Sequence, residues 1–310
     1  MSIIKIKTKN HAEWLELRSH YIGGSDAAAV VGMNPFSSPY ALWAEKTGRK
    51  PGFSGNLATE VGTYLEEFVA QKFSEVTGKK VRKCNQSFLN SQFPFAIANI
   101  DREIVGEDAG LEIKTTDSLN LKKFKNGEYP ENYYCQCVHY LAVTGKKRWY
   151  LAVLIGNRDF KWFVIERDKA EIDALMGAEA ELWEHVKNDT PPEIDGSRAT
   201  TDTISTIYSE SNDDVCDLIA YKNDLSVYSA ISRQIKELQT QQDEVANRIK
   251  SFMGESSGGV CDEFKVTWKT ANRKTFDVKK FAEENPDIDI SEYYRETAYR
   301  TFKITEFKGA

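Results

Sequence analysis

The sequence has no long apolar run, and this absence excludes one class of protein at once. No stretch approaches the ~18 consecutive apolar residues of a transmembrane helix. The first residues, MSIIKIKTKNHAEW, show neither the apolar core nor the small-residue cleavage site of a signal peptide. The five cysteines are scattered and odd in number, which favours free thiols in a reducing compartment over a disulfide framework. We therefore expect a cytoplasmic protein that does not enter a membrane.

The net charge of −6 is unevenly distributed along the chain. Residues 168–217 contain fourteen acidic and three basic residues, so the remainder of the chain carries a charge of +5. Basic clusters occur at KKVRK (79–83), KKFK (122–125) and KKR (146–148). Such clusters suit a nucleic-acid partner, although solvated surface is the commoner explanation of any one of them.

Hydrophobic periodicity divides the chain into an α/β part and an extension. The pattern predicts helices at 58–78, 130–145 and 169–188, and strands at 93–100, 102–106, 110–116, 148–156 and 159–168. This order of helix, three strands, helix and strands is typical of a mixed sheet flanked by helices. A turn-rich stretch near 190–212 predicts a boundary, with one domain at 1–205 and an extension at 206–310.

The extension is predicted to begin with a long helix at 215–253. A strand pair, FKVTWK and YRTFKI, then brackets a short helix at 277–285. The long helix has a heptad seam with alternating spacings of 3 and 4, formed by Tyr228, Ile231, Ile235, Leu238, Gln242, Val245, Ile249 and Phe252. Such a seam can fold back on its own domain, which is the commonest outcome, or it can dimerise or bind a partner.

The stretch AIANIDREIVGEDAGLEIKTT, residues 96–116, places charged residues where a buried β-hairpin needs apolar ones. Asp101 lies near the end of one predicted strand, and Glu112 and Lys114 are two apart on another, so their side chains share one face. Charged side chains are rarely buried without a partner, because their desolvation is costly. A carboxylate from the preceding helix, Glu66, completes a predicted set of three acids and one ammonium.

This residue set indicates a metal site for phosphodiester chemistry. Carboxylate oxygens are the ligands that Mg²⁺ and Mn²⁺ prefer, and the backbone carbonyl of Ile113 can add another. A metal held there would polarise a phosphodiester and lower the pKa of a bound water, which Lys114 could position or deprotonate. The alternative from the pattern alone is an exposed-edge salt bridge between Glu112 and Lys114. If the helix register is shifted by one residue, Glu67 takes the place of Glu66.

Asp101…Glu112-Ile113-Lys114 resembles the PD-(D/E)XK nuclease motif, with Ile100 where the motif has its proline. The wider context resembles the YqaJ-type viral recombinases, which are related to phage lambda exonuclease. Five stretches match in family order over about the first 170 residues: LRSHYIGGSDAAAVVGMNPF (17–36), GTYLEE (62–67), AIANIDREI (96–104), GLEIKT (110–115) and YYCQCVHYLAVTG (133–145).

The resemblance implies an α/β fold with a PD-(D/E)XK restriction-endonuclease-like core, in which helices flank a mixed sheet. It implies that Mg²⁺, with Mn²⁺ as a substitute, is bound by Asp101, Glu112, the Ile113 carbonyl and Glu66. It also makes Lys114 the catalytic lysine. The lambda enzyme is shorter, so the resemblance does not explain the C-terminal extension.

Five more site residues are implied by the same resemblance. In the helix after the motif, Tyr133 and Gln136 would steady the lysine or the scissile strand. Arg18 and Ser25 match the family's pocket for a 5′-phosphate, and Asn99 stands where the lambda enzyme has a serine. Each has a simpler explanation: Ser25 as a helix N-cap, Arg18 as surface charge, and Tyr133 and Gln136 as packing residues.

In functional terms, the resemblance implies a Mg²⁺-dependent 5′→3′ exonuclease on double-stranded DNA ends. It would leave 3′ single-stranded tails for phage-type recombination by single-strand annealing, in the cytoplasm of a bacterial host. A single-strand annealing recombinase is the expected partner, and a homo-oligomer is a further expectation. The alternatives are a structure- or sequence-specific endonuclease on the same core, and a catalytically idle scaffold that binds DNA ends or the recombinase.

Overall fold

The computed structural model describes residues 2–307, and its five-stranded sheet contains the charged hairpin. Its strands, in the order in which they lie side by side, are β3 (Val81–Lys83), β6 (Arg102–Ile104), β7 (Ala109–Thr116), β8 (Arg148–Ile155) and β9 (Asp159–Glu166). β7 and β8 are parallel, from Ala109 opposite Arg148 to Thr116 opposite Ile155, and the other pairs are antiparallel. β7 is therefore an interior strand.

A second sheet of four strands precedes the hairpin. Its strands, in side-by-side order, are β1 (Ile3–Ile6), β4 (Ser87–Asn90), β5 (Phe93–Asn99) and β2 (Ile22–Gly23). The chain passes from β5 to β6 through Ile100 and Asp101, so Asp101 lies in the connection between the two sheets. The sequence pattern missed β1, β3 and β4, because three or four residues are too few to show a clear alternation.

Helices cover both faces of the five-stranded sheet. Those up to residue 207 are α1 (His11–Ser19), α2 (Ala27–Val30), α3 (Pro39–Lys46), α4 (Leu57–Thr77), α5 (Glu131–Thr144), α6 (Lys169–Lys187) and α7 (Arg198–Ile207), with a 3₁₀ helix at Ser118–Phe124. Asn56 and Thr59 form a capping box at the start of α4, and Gly78, in the left-handed conformation, ends it. None of the helices formed by residues 2–307 is both long and apolar enough to cross a membrane.

The two faces of β7 meet different helices. Leu111 and Ile113 pack with Phe73 of α4 on one face. On the other face, Leu151 and Val153 of β8 pack with α5. Glu112 and Lys114 are paired with these two β8 residues, so their side chains face the α5 side of the sheet. The predicted fold class, a mixed sheet flanked by helices and followed by a long helix, is confirmed.

Helix α7 lies in a stretch that the sequence predicted to be turn-rich, and that prediction is wrong. Its buried residues are Thr200 and Thr203, not the apolar residues that reveal a helix in a sequence. Thr200 shares a hydrogen bond with Ser38, with 2.7 Å between the hydroxyl oxygens, and Ser197 caps the helix. The chain separates into two compact units after Tyr208, so α7 belongs to the first unit and spans residues 205 and 206.

The second unit contains one long helix and little sheet. Its elements are a 3₁₀ helix at Ile219–Tyr221, α8 (Lys222–Met253), β10 (Gly258–Val260), β11 (Lys265–Thr267), α9 (Val278–Glu284) and a 3₁₀ helix at Ser291–Tyr293. The long helix thus begins at Lys222 instead of residue 215. The predicted strand pair is also wrong, because β11 pairs with β10 through a local turn in which the Cys261 N–H donates to the Phe264 carbonyl at 2.9 Å.

The seam of α8 is mostly exposed in the part of the chain that the structure describes. No residue of α8 is buried, and the exposed fraction of Leu238 is 63%. Tyr228, the first seam residue, packs edge-on against Phe302 at 6.0 Å between ring centroids. The apolar side of this helix therefore remains at the surface.

Candidate active site

Glu112 and Lys114 form an ion pair in the interior of the sheet. The Nζ of Lys114 lies 2.6 Å from the Oε1 of Glu112, and Glu112 is only 3% exposed. β7 has neighbours on both sides, so the exposed-edge salt bridge that the pattern also allowed is wrong. The Ile113 side chain enters the core on the opposite face, as expected.

The side chain of Asp101 is held beside the middle of β7 by a hydrogen bond from the main chain. The N–H of Ile113 donates to the Oδ2 of Asp101 at 2.8 Å. β6 pairs with β7 only at Glu103 and Arg102, opposite Gly110 and Leu111, so beyond Leu111 the Asp101 carboxylate takes the place of a neighbouring strand. The charged residues separated by ten positions in the sequence thus become neighbours.

Burial destabilises the charged form of both carboxyls. Burial and the nearby charge of Glu112 raise the pKa of Asp101 well above its usual range. Burial also raises the pKa of Glu112, although the ammonium of Lys114 acts in the opposite direction. The second oxygen of Glu112, Oε2, is buried without a hydrogen-bond partner. A buried, unpaired carboxylate oxygen is costly unless a cation compensates it.

Helix α4 brings Glu66 to this cluster. A Cβ at Gly62 would lie only 3.3 Å from the Oγ1 of Thr115, so glycine lets the helix approach the end of β7 closely. The charge of Glu66 contributes to the raised pKa of both Asp101 and Glu112, so this carboxylate lies near them. The side chain of Glu67 is 67% exposed, against 26% for that of Glu66. The geometry therefore favours Glu66 over Glu67 as the helix-borne acid.

Arg102 ties the helix to the hairpin, and the sequence analysis missed it. Its buried guanidinium forms ion pairs with Glu66 and with the Oε2 of Glu67, the latter at 3.0 Å. It also donates to the Asp101 carbonyl at 2.9 Å. An arginine inside a predicted strand, directly after a candidate metal ligand, was the available signal.

Lys114 is held on its other side by α5. Its Nζ donates to the Oε1 of Gln136 at 2.8 Å and lies 5.5 Å from the centroid of the Tyr133 ring. The Nε2 of Gln136 donates to the Tyr140 hydroxyl at 2.8 Å. Because an ammonium only donates, the Tyr140 contact fixes the amide in the orientation that Lys114 requires. Tyr140 is a second site neighbour that the sequence analysis did not single out.

The charge state of Lys114 follows from its neighbours. Burial acts to lower the pKa of Lys114, but the charges of Glu112 and Asp101 outweigh this effect and raise it. Lys114 is therefore an ammonium that donates hydrogen bonds to Glu112 and Gln136. It holds a proton in this arrangement and does not accept one.

Arg18, Ser25 and Asn99 are brought together around a tryptophan. Arg18 donates to the Ser25 hydroxyl, and its guanidinium lies over the Trp14 ring at 5.5 Å. The Nε1 of Trp14 donates to the Oδ1 of Asn99 at 2.9 Å, and the Ser87 hydroxyl donates to the same oxygen at 2.6 Å. Since both donors meet Oδ1, the amide nitrogen of Asn99 is directed elsewhere as a donor.

Asp26 stands at the start of α2 without capping it. Its side chain makes no capping bond; it accepts from the Gly23 N–H at 3.0 Å and lies 3.1 Å from the Nζ of Lys46. Burial acts to raise the pKa of Asp26, but Lys46 and Arg18 outweigh it and lower the pKa. The carboxylate of Asp26 is therefore neutralised by two cations, Lys46 and Arg18.

Gly24 is needed for packing against α5. A Cβ there would lie 2.4 Å from the Tyr140 ring. The loop that carries Ser25 therefore packs against the same tyrosine that orients Gln136.

Comparisons with known proteins identify the family of this chain. The family of YqaJ-like viral recombinase domains matches residues 13–147. The protein YqaJ of Bacillus subtilis (strain 168) is 39% identical over 300 residues, which are 95% of this chain and 94% of that protein. The chain belongs to the YqaJ-like viral recombinase family.

Two solved structures match over a smaller part of the chain. The alkaline exonuclease LHK-Exo from Laribacter hongkongensis has 19% identity and a TM-score of 0.49, and the match covers 58% of this chain and 94% of that one. The phage-related exonuclease from Haemophilus somnus 129PT has 13% identity and a TM-score of 0.43, with coverage of 57% and 99%.

The family match contains every candidate site residue from Arg18 to Gln136. The alignment with YqaJ is longer and extends over the second unit. The similarity to YqaJ therefore extends beyond the region that contains the candidate active site.

The candidate metal ligands form an incomplete set of donors for a cation. Among residues 2–307, no group of three or more His, Cys, Asp and Glu side chains is arranged to hold a metal. Asp101, half-buried, and Glu112, buried and with an unpaired oxygen, nevertheless supply two carboxylates, while Glu66 is turned to Arg102. Mg²⁺ commonly takes one or two carboxylates and completes its shell with water and substrate phosphates. The donor set therefore fits such an ion.

Proposed function

We propose that this YqaJ-like chain is a Mg²⁺-dependent 5′→3′ exonuclease that acts on double-stranded DNA ends. One observation carries the proposal: a half-buried and a buried carboxyl, Asp101 and Glu112, both of raised pKa and the second with an unpaired oxygen, lie beside a lysine in the interior of a sheet. Such an arrangement costs stability, and sites of this kind are characteristic of function. The family's recombinase role makes DNA the natural substrate.

The proposed ligands are Asp101, Glu112, the Ile113 carbonyl and Glu66, with Mn²⁺ as a substitute for Mg²⁺. The N–H of Ile113 is directed to Asp101. Since the N–H and C=O of one strand residue face the same neighbour, the Ile113 carbonyl lies on the Asp101 side as well. When bound, the metal supplies charge neutralisation of the phosphodiester and a water of lowered pKa.

The side chains around the proposed metal hold and orient the reacting groups. Lys114, fixed between Glu112 and Gln136, presents an ammonium that orients a water or a phosphate oxygen by donating to it. Tyr133 covers this ammonium with its ring face. Gln136 is itself oriented by Tyr140, so the lysine has few positions available to it. Preorganised donors of this kind stabilise developing negative charge.

A pocket for the 5′-phosphate is proposed at Arg18, Ser25 and Asn99. Arg18 and Ser25 are already in contact, and Trp14 connects Arg18 to Asn99. The guanidinium, the hydroxyl and the amide nitrogen are all donors, as a phosphate requires. Lys46 pairs with the Asp26 carboxylate, which removes the repulsion that this acid would exert on a phosphate.

The proposed biological role follows from the 5′→3′ direction of digestion. Digestion of the 5′ strands leaves 3′ single-stranded tails, which are the substrate of a single-strand annealing recombinase, the proposed partner. The proposed location is the cytoplasm of the bacterial host, where such DNA ends occur.

The test compares linear and closed circular duplex DNA, with Mg²⁺ and with a chelator. We expect Mg²⁺-dependent loss of the linear DNA only, with the 5′-labelled strand shortened first. The Glu112→Gln variant should be inactive, and Asp108→Asn, an exposed acid in the same hairpin, should be fully active. Cleavage of the circle would establish an endonuclease instead. Absence of cleavage in the wild type would leave an end-binding scaffold.

A further inference from the structure

A histidine and a glutamate meet in the core of the first unit, and the nuclease proposal uses neither of them. His139 of α5 and Glu179 of α6 are both fully buried. The Nδ1 of His139 lies 2.8 Å from the Oε1 of Glu179, and its Nε2 lies 2.9 Å from the carbonyl oxygen of Ile97 in β5. The imidazole therefore connects three elements, α5, α6 and β5.

The contacts of this imidazole determine how many protons the pair must hold. The Ile97 carbonyl only accepts, so Nε2 carries a hydrogen. Nδ1 then either donates to an ionised Glu179 or accepts from a protonated one. Both forms contain one proton more than a neutral imidazole beside a carboxylate. The observed geometry thus requires a proton that His139 and Glu179 share.

Loss of the shared proton would leave one of the two contacts without a hydrogen. A neutral imidazole has a single N–H, which serves either Ile97 or Glu179, and lone pairs face each other at the remaining contact. A buried acceptor without a donor is costly. The other oxygen of Glu179, Oε2, is already buried without a hydrogen-bond partner among the described residues. The pair therefore anchors α5 only while it keeps the proton.

The charges around the pair favour retention of this proton. Burial acts to lower the pKa of His139, but the charge and hydrogen bond of Glu179 outweigh it and raise the pKa. Burial raises the pKa of Glu179, although the charge of His139 acts in the opposite direction. The charge of Asp26, at the start of α2, raises the pKa of both groups.

Two more titratable groups near the pair lie on α5 itself. Tyr140 packs edge-on against His139 at 5.9 Å between ring centroids. Cys135 is close enough to Glu179 for the charge of that carboxylate to raise its pKa. Burial raises the pKa of Cys135 to about 11 and that of Tyr140 well above its usual range. Neither group therefore adds a charge to the site at neutral pH.

Helix α5 also carries the residues that orient Lys114. Gln136, which accepts from Lys114, lies about one turn before His139, and Tyr140, which fixes the Gln136 amide, follows His139 directly. Because residues of one helix move together, the anchor at His139 sets the place of the Gln136 amide.

We propose that His139 and Glu179 are a positioning pair for the nuclease site: their shared proton fixes α5 to β5 and α6 and thereby holds Gln136 against Lys114. The role in cleavage rests on the proposed nuclease function. The anchoring of α5 does not, so the two parts are tested separately.

The anchoring is tested by urea unfolding of the full chain between pH 7 and pH 10, followed by tryptophan fluorescence. Five of the six tryptophans lie in the first unit, so the signal reports its unfolding. An unfolded histidine is neutral above about pH 6.5, so folding there takes up the shared proton. The stabilisation is complete below that pH and is lost as the pH rises through the raised pKa of the folded pair. The folding equilibrium constant of the wild type should fall by up to about tenfold per pH unit.

Glu179→Gln removes the need for the shared proton, because its amide can donate to Nδ1 while Nε2 donates to Ile97. Its stability should therefore depend less on pH than that of the wild type, by up to about tenfold per pH unit. Glu181→Gln, the same change at an exposed position of α6, should follow the wild type. Parallel curves for the wild type and Glu179→Gln would overturn the proposal.

The positioning role is tested by the kinetics of cleavage of linear duplex DNA at pH 7. Glu179→Leu leaves the Nδ1 of His139 without a partner, so α5 loses its polar contact with α6 at this point. We expect kcat to fall by about tenfold or more with KM unchanged, because small displacements of orienting groups have effects of this size. Glu179→Gln should restore most of the rate, and Glu181→Gln should match the wild type.

Circular dichroism shows whether Glu179→Leu is folded, and if it is not, the pH comparison with Glu179→Gln decides. A folded Glu179→Leu protein with the wild-type kcat would overturn the positioning role. Absence of cleavage in the wild type would instead overturn the proposed function and the role in cleavage with it, while the urea curves would still decide whether the shared proton anchors α5.

Discussion

The two units of the molecule place their charged and apolar side chains in opposite ways. In the first unit, Glu112 is 3% and Arg102 is 2% exposed, inside a sheet where apolar residues would be more stable. In the second unit, Ile235 and Leu238 are mostly exposed, while the charged residues of α8 lie in solvent. Each unit thus departs from ordinary burial, but in a different direction.

The buried charge of the first unit and the exposed apolar stripe of the second indicate different roles. A buried charge carries a desolvation cost that a bound cation or substrate can offset, so it points to a site for chemistry. An exposed apolar stripe gains free energy only when a partner covers it, so it indicates an interface. The first unit therefore presents a site for chemistry, and the second presents an apolar surface for an interaction.

The largest expected effect is the loss of cleavage when a buried carboxylate is neutralised. Glu112→Gln and Asp101→Asn should each reduce the rate on linear duplex DNA by more than about a hundredfold, since even residues that only orient metal ligands cost about 10–100-fold. Without metal, Asp101→Asn should melt at a higher temperature than the wild type, because its raised pKa reflects an unfavourable charge. A variant that cleaves near the wild-type rate would remove Asp101 or Glu112 from the site.

The second prediction concerns the stability of the loop that holds Arg18. Asp26→Asn leaves Lys46, whose side chain is 4% exposed, without its anionic partner, and should cost roughly 3 kcal/mol of unfolding free energy at pH 7. The pKa of Asp26 is lowered from 3.8, so its charge stabilises the fold above that pH and the contribution is lost as the pH falls through the folded pKa. The difference from the wild type in urea unfolding should therefore shrink below about pH 4. A difference independent of pH would show that the ion pair is not its source.

The third prediction concerns the 5′ end. Wild-type protein should digest 5′-phosphorylated duplex about tenfold faster than 5′-hydroxyl duplex, because hydrogen bonds to a charged group contribute roughly 1.5–3 kcal/mol. Arg18→Ala should abolish most of this preference. Arg49→Ala is the matched control, because Arg49 also stacks on a tryptophan, Trp43, and bonds to the carboxylate of Asp189. Equal rates on both substrates for the wild type would make Arg18 and Ser25 structural residues.

The smallest expected effect is that of removing the second unit. A chain that ends at Tyr208 keeps α7 and every candidate site residue, so its rate per DNA end should stay within a few-fold of the full chain. Its melting curve should retain one cooperative transition. A folded but inactive truncated protein would show that the separation of the two roles is wrong.

The sequence was most informative where chemistry and periodicity agreed. The two-residue spacing of Glu112 and Lys114 on an alternating strand predicted a shared face, and the structure has them 2.6 Å apart. The long helices α4, α5 and α6 were visible from their apolar rhythm. The role of the site residues remains a prediction.

The sequence was uninformative where a partner is supplied by folding. Arg102, Tyr140 and Trp14 each complete a contact between distant segments, and no local pattern distinguishes them from core or surface residues. α7 escaped prediction because threonines fill its buried side. The pairing of β11 was predicted wrongly, because alternation identifies a strand but does not name its neighbour.

The central claim is that the buried charge of β7 is a metal-dependent site. The most direct test is the melting temperature of the full chain as Mg²⁺ or Mn²⁺ is added, for the wild type and for Glu112→Gln. A ligand that binds only the folded state at a hundred times its Kd stabilises it by about 2.7 kcal/mol, so the wild type should melt at a clearly higher temperature and Glu112→Gln should not. Equal shifts in both proteins, or no shift in the wild type, would contradict the assignment.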